Sequence, residues 1–196
     1  MKRKHFILAL VAMLWSFSFS AFADDVIVVN SWAELKAALE ANDDVQRSAA
    51  RQRSTAMRAT DAGTGVKTPI EGTPYFLEDF DGTKVQLGDD VVYDSPMTVA
   101  KLGGATIDLN GHKVLGSEDA VADHTYPIVS NGNLLVVDTK DGSGAIYCGI
   151  KTGIRNSDNN INSNAVFVMT GGNIICAHEN DDDAALVNYG IAYLVG

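Results

Sequence analysis

Cysteine and proline are scarce: two and four among 196 residues. Two cysteines, without a CxxC pair, exclude a cysteine-only zinc site and a disulfide-dense scaffold. Few prolines beside 18 glycines argue for many tight turns rather than proline-rich linkers. Positive charge is also short, with Lys plus Arg at 15 against Asp plus Glu at 25, a net −10. Such an acidic balance excludes a phosphate-tracking nucleic-acid binder. It also argues against docking on anionic lipid. Long apolar runs are missing after Ala23, and no helical periodicity recurs beyond Ala105. No GxSxG, P-loop or dinucleotide fingerprint is present.

The opening segment, 1–23, reads as a cleaved export signal of bacterial type. Lys2, Arg3 and Lys4 precede an apolar stretch from Phe6 to Trp15, and Ala21-Phe22-Ala23 supplies a small-x-small cleavage pattern. The stretch is shorter than the roughly 20 residues that span a bilayer. Cleavage after Ala23 leaves a mature chain of 24–196 starting at Asp24. It removes three cations and no anion, which takes the net charge from −10 to −13. The expected location is therefore secreted or cell-surface.

The segment 24–42 reads as a short strand, Val26 to Val29, followed by a short amphipathic helix. Ser31 and Glu34 stand at capping-box spacing, and Trp32, Leu35 and Leu39 recur at helical intervals. Residues 43–74 form an Arg-, Gly- and Thr-rich insertion with Arg47, Arg51, Arg53 and Arg58. It is expected to be flexible and solvated; the sharper reading is a basic arm for an anionic partner.

From Tyr75 onward strands and turns take over, with Val85 to Tyr93 a candidate strand pair. Internal repeats emerge there. Ala105–Asn110 aligns with Asn133–Asp138, Ala165–Thr170 and Ile191–Gly196. Gly144–Cys148 aligns with Gly172–Cys176, and Ile128–Gly132 with Leu186–Gly190. The period is about 28 residues, within the range of stacked repeat architectures. Without an intervening helix it fits one coil of a parallel β-solenoid, whose coils must stack to bury an apolar face. An antiparallel sandwich would instead need hairpin turns. In this alignment Ile107, Leu135, Phe167 and Tyr193 form one inward row, and Leu109, Val137, Met169 and Val195 another. Val136, Val168 and Leu194 then face outward in the position of Asp108. With Tyr147 they make a candidate apolar binding stripe for a partner or a covering segment.

Thr106-Ile107-Asp108-Leu109-Asn110-Gly111-His112 resembles the LDLNGH turn of secreted bacterial right-handed parallel β-helix proteins of the pectate-lyase-like superfamily. Ser31 to Leu39 is similar to the capping segment that opens many of them, and Val166 to Ile175 resembles their GG-I coil. The likeness covers roughly 85–196 and the opening segment. It implies an all-β, right-handed parallel β-helix with a short N-terminal capping helix. Polysaccharide-degrading enzymes, adhesins and autotransporter passengers share that fold. Residues 75–196 are accordingly expected to be β-helix coils, incomplete at the C-terminus, in an N-terminal piece of a longer protein or a truncated product.

The candidate chemistry is thin. Cys148 and Cys176 fall at equivalent coil positions, as a disulfide between adjacent coils or as two buried thiols. Asn156 to Asn160 and Glu179 to Asp183 are oxygen-rich loops that could hold calcium but lack any calcium-loop spacing. A solvated turn is the simpler reading. His112, His124 and His178 read as turn or loop residues. A glycosidase needs two carboxylates flanking a bond about 5–10 Å apart. Asp108, outward on its strand, has no evident partner. Lys151 and Arg155 sit in no recognisable lyase motif. The expectation is a non-catalytic β-helix protein acting in adhesion or binding an extracellular glycan or cell-surface partner. The alternative is the leading part of a polysaccharide lyase or glycoside hydrolase whose site lies in later coils.

Overall fold

The computed structural model describes residues 26–40, 67–99, 103–118, 120, 126–148, 152–156, 165–176 and 184–195. Strand β1 (Val26–Val29) leads into helix α1 (Trp32–Glu40). A first set of strands follows: β2 (Lys84–Leu87), β3 (Val91–Tyr93) and β4 (Met97–Val99). The second set is β5 (Ala105–Asp108), β6 (Lys113–Gly116) and β7 (Ile128–Ser130). The third is β8 (Leu134–Val137), β9 (Ala145–Cys148) and β10 (Thr152–Asn156). The fourth is β11 (Val166–Met169), β12 (Asn173–Cys176) and β13 (Ala184–Asn188), and β14 (Ile191–Leu194) begins a fifth.

Each set contributes one strand to each of three sheets. The first sheet runs β1-β2-β5-β8-β11-β14, the second β3-β6-β9-β12 and the third β4-β7-β10-β13. Every strand pair is parallel. This is an all-β arrangement of stacked parallel sheets, consistent with a parallel solenoid, and it excludes the antiparallel sandwich. No helix among the described residues is long and apolar enough to cross a membrane.

The core fills the space between the sheets. One inward row is Val85, Ile107, Val136 and Met169, and a second is Ala105, Leu134 and Phe167. The second sheet adds Val91, Val114 and Ile146, and the third adds Met97, Ile128 and Ile154. Among the described residues, tight turns join several of the strands. After β5, Asn110 (φ 49°) and Gly111 (φ 77°) both occupy the left-handed region, which asparagine and glycine tolerate best. Between the third and first sheets, buried Asn156 donates from Nδ2 to Asn188 Oδ1 at 2.7 Å and to the Ile191 carbonyl at 2.9 Å. Its side chain thus supplies a partner to the carbonyl of the adjacent coil.

The helix forms as its sequence predicts. Ser31 Oγ accepts from the Glu34 amide at 3.3 Å, and Glu34 Oε2 accepts from the Asn30 amide at 2.8 Å. Trp32, Leu35 and Leu39 are buried in the core cluster. Trp32 Nε1 donates to the Ser95 carbonyl at 3.0 Å, and Glu40 Oε1 accepts from the Thr98 amide at 2.8 Å.

Residues 67–80 cross the outer face of the first sheet. An antiparallel bridge joins Pro69 to Phe76, and a 3-10 turn spans Leu77–Phe80. Ile70 and Phe80 are buried with Leu135, Val166 and Val168, while Tyr75 stands edge-on to Phe80 and to Tyr193. The end of the expected solvated insertion, 67–74, is therefore a packed strap at Ile70 rather than a free loop.

Candidate binding surface

The sequence alignment slipped in the first sheet. The ladder places Ile107 opposite Val136, Val136 opposite Met169 and Met169 opposite Leu194. A one-residue slip exchanges the two faces of a strand. Val136 therefore points into the core and is fully buried, not outward. Leu135 and Tyr193, expected inward, lie on the outer row with Thr106 and Val168. Val168 does face outward, yet it too is fully buried, because the strap covers it. Leu194 is 63% exposed and Tyr147 is half-buried on another sheet. The four residues do not form one exposed stripe.

An exposed apolar stripe exists on the second sheet instead. Its inward row is Val91, Val114, Ile146 and Ile174, so the residues that follow each of these point outward. Val92 pairs with Leu115, and Tyr147 pairs with Ile175. The intervening register, Lys113 opposite Ala145 and Val114 opposite Ile146, carries Leu115 to Tyr147. Val92, Leu115, Tyr147 and Ile175 thus form a ladder across four coils, with neighbours about 4.8 Å apart. Val92 is 53% exposed and Ile175 39%, with Leu115 and Tyr147 half-buried between them. No described segment covers this row. A polar margin runs beside it: Asp90, Lys113 and Asn173, with His112 Nδ1 3.6 Å from Asp90 Oδ1. Tyr147 belongs to both the expected and the observed stripe. Val92, Leu115 and Ile175 were missed. The signal available was that β3, β6 and β12 carry apolar residues on both faces.

The third sheet presents Arg155 on its outer side, opposite Val129 and Val187. The guanidinium lies 5.5 Å from the Tyr126 ring and 5.6 Å from the Tyr189 ring, within cation–π range.

The carboxylates near the Asn110-Gly111 turn are saturated with hydrogen bonds. Asp108 does face outward. Its Oδ1 accepts from the Asn110 amide at 2.9 Å and the Thr139 amide at 3.1 Å. Its Oδ2 accepts from Gln86 Nε2 at 2.8 Å and Thr139 Oγ1 at 2.6 Å. Burial pushes the Asp108 pKa up, but the bonds from Thr139, Gln86 and Asn110 outweigh it and hold the carboxyl below its ordinary value. Asp138 accepts from the Gly111 and Gly144 amides, each at 2.7 Å. Both side chains tie one coil to the next.

Cys148 and Cys176 are ladder partners and stand as thiols, the first buried and the second half-buried. Among the described residues no group of three or more His, Cys, Asp and Glu is arranged to hold a metal ion. The export signal at 1–23, the four arginines from Arg47 to Arg58, His124, Lys151, His178 and the acidic run Glu179–Asp183 lie outside the described residues. So does the other oxygen-rich loop, apart from Asn156, whose amide is used in the core.

No protein-family model, curated protein or solved structure matches the chain.

Proposed function

We propose that this chain is an exported β-helix protein that acts at the cell surface or in the medium by adhesion or glycan binding. In this reading the coils wind as a right-handed parallel β-helix of the pectate-lyase-like kind, with α1 as the N-terminal cap. The observation that carries it is the uncovered ladder of Val92, Leu115, Tyr147 and Ile175. On the first sheet a strap hides an equivalent apolar outer row, whereas no described segment covers this one. Contiguous exposed apolar surface rimmed by polar groups is a recurring mark of a recognition face. A parallel sheet face with an aromatic ring suits the apolar face of a saccharide, with Asp90, Lys113 and Asn173 placed to meet hydroxyls. The acidic net charge supports a partner that is neutral or basic rather than nucleic acid.

The test is co-sedimentation of the protein with a panel of insoluble polysaccharides, and binding to a glycan array, each with and without calcium. Tyr147→Ser and Val92→Ser are measured in parallel with wild type. Binding by wild type that falls at least tenfold in both variants, with melting unchanged, supports the reading. Binding indifferent to both substitutions, or cleavage of the glycan, overturns it.

A further inference from the structure

We infer that Cys148 and Cys176 are a thiol pair built to close into one intramolecular disulfide, which staples the fourth coil onto the third. The inference does not depend on what the apolar ladder binds. It rests first on register. Ala145, Ile146, Tyr147 and Cys148 stand opposite Asn173, Ile174, Ile175 and Cys176, residue for residue. In-register parallel neighbours lie about 4.8 Å apart, inside the roughly 4.4–6.8 Å Cα separation that disulfides span. Both residues belong to the side of the second sheet that faces the core, since Val114 and Ile146, on the alternate positions, are fully buried. The two side chains therefore point the same way from adjacent strands, and the thiols are in hydrogen-bonding contact.

Access is graded. Cys148 is 6% exposed, whereas Cys176 is half-buried. Burial, with the Cys176 thiol beside it, pushes the Cys148 thiol well above its ordinary pKa. Reaction therefore begins at Cys176. Its thiolate attacks a small-molecule disulfide such as oxidised glutathione, forming a mixed disulfide and expelling one glutathione thiolate. Cys148, deprotonated as it attacks, then displaces the second glutathione from Cys176 Sγ. One sulfur–sulfur bond forms in the protein and one breaks in glutathione. Two electrons end on the glutathione sulfurs, and the two cysteine protons pass to solvent and to the released thiolates. The bond would join β9 to β12 across a stretch containing strands β10 and β11, so it removes freedom from the unfolded chain as well.

The experiment uses the full chain, equilibrated in reduced and oxidised glutathione buffers, alkylated, digested with trypsin and read by mass spectrometry. Cleavage after Lys140, Lys151 and Arg155 puts the two cysteines on separate peptides. The expected result is a single linked species of these two peptides, lighter than their summed mass by about 2 Da for the two hydrogens lost. Its apparent melting temperature should rise on the order of 5–10 °C over the reduced form. Cys176→Ala, at the less buried position, should melt like reduced wild type and show no oxidant-dependent shift. Two fully alkylated thiols after oxidation, glutathione adducts alone, or dimers through Cys176 would each overturn the inference. A linked pair with no change in melting would overturn the stapling role.

Discussion

Asp108 is where a catalytic and an architectural reading give different numbers. Its carboxylate accepts four hydrogen bonds, two from backbone amides that cannot turn away and two from side chains that can. Asp108→Ala removes the acceptor for the Asn110 and Thr139 amides together. A buried donor left without a partner costs about 1–3 kcal/mol, and the partial exposure of this turn puts the expected loss at about 2–4 kcal/mol. Asp108→Asn keeps one oxygen for the two amides. The new amide group then faces Gln86, which can flip, and the Thr139 hydroxyl, which can rotate to accept. Its expected cost is about 1 kcal/mol. Urea unfolding at pH 7 separates the two. The sign of the pH dependence follows from the depressed pKa. The carboxylate's contribution is fully present above its unfolded value, near 3.8, and is lost as pH falls through the lower folded value. The gap between wild type and Asp108→Asn should therefore shrink at pH 3. Equal unfolding midpoints for wild type and Asp108→Ala would refute the architectural reading. An Asn variant as weak as Ala would refute the bond-by-bond account.

Phe80→Ala should loosen the strap, since Phe80 is fully buried against Leu135 and Val168. A loss of about 3–5 kcal/mol is expected if unfolding is global. Limited proteolysis should cut within 67–80 faster than in wild type, and unchanged cutting would argue that the strap is held elsewhere. Gly104→Ala should destabilise by at least about 1 kcal/mol, measured by thermal melting. Gly104 has φ +77°, and an added Cβ would fall 2.6 Å from the Asp79 carbonyl and 2.7 Å from Phe80 Cα, both backbone atoms.

The parallel stacking was legible because turn residues repeat. Gly144 to Cys148 aligned with Gly172 to Cys176 in the register that the ladder adopts. Ser130, Asn156 and Asn188 likewise share one position of the third sheet. Helix α1 was legible from Ser31, Glu34 and the Trp32, Leu35, Leu39 spacing. The first sheet's register was not. Leu134 to Val137 and Val166 to Met169 are apolar at every position, so alternation gives no phase. The physical cause is the strap, which lets the outer row be as apolar as the inner. The strap was hidden in turn because its anchors, Ile70, Tyr75 and Phe80, sit in no periodic pattern and meet residues far along the chain. The bare ladder was only partly legible. Tyr147 stood out as an outward aromatic, whereas Val92, Leu115 and Ile175 needed the ladder to be seen as neighbours.

Successive residues of one ladder of the first sheet, Val85, Ile107, Val136, Met169 and Leu194, are 22, 29, 33 and 25 positions apart along the chain, yet each is the next one's neighbour. The unequal spacing reflects the different lengths of the segments that join the strands. Tension applied along the stacking direction would consequently meet one ladder at a time, like a zip rather than a rope. Each coil that peeled away would release a tether of roughly 75–120 Å, at about 3.3–3.6 Å per residue. A molecule anchored at one end and gripping at the other would thus lengthen in discrete steps, dissipating a pull before the remaining coils feel it.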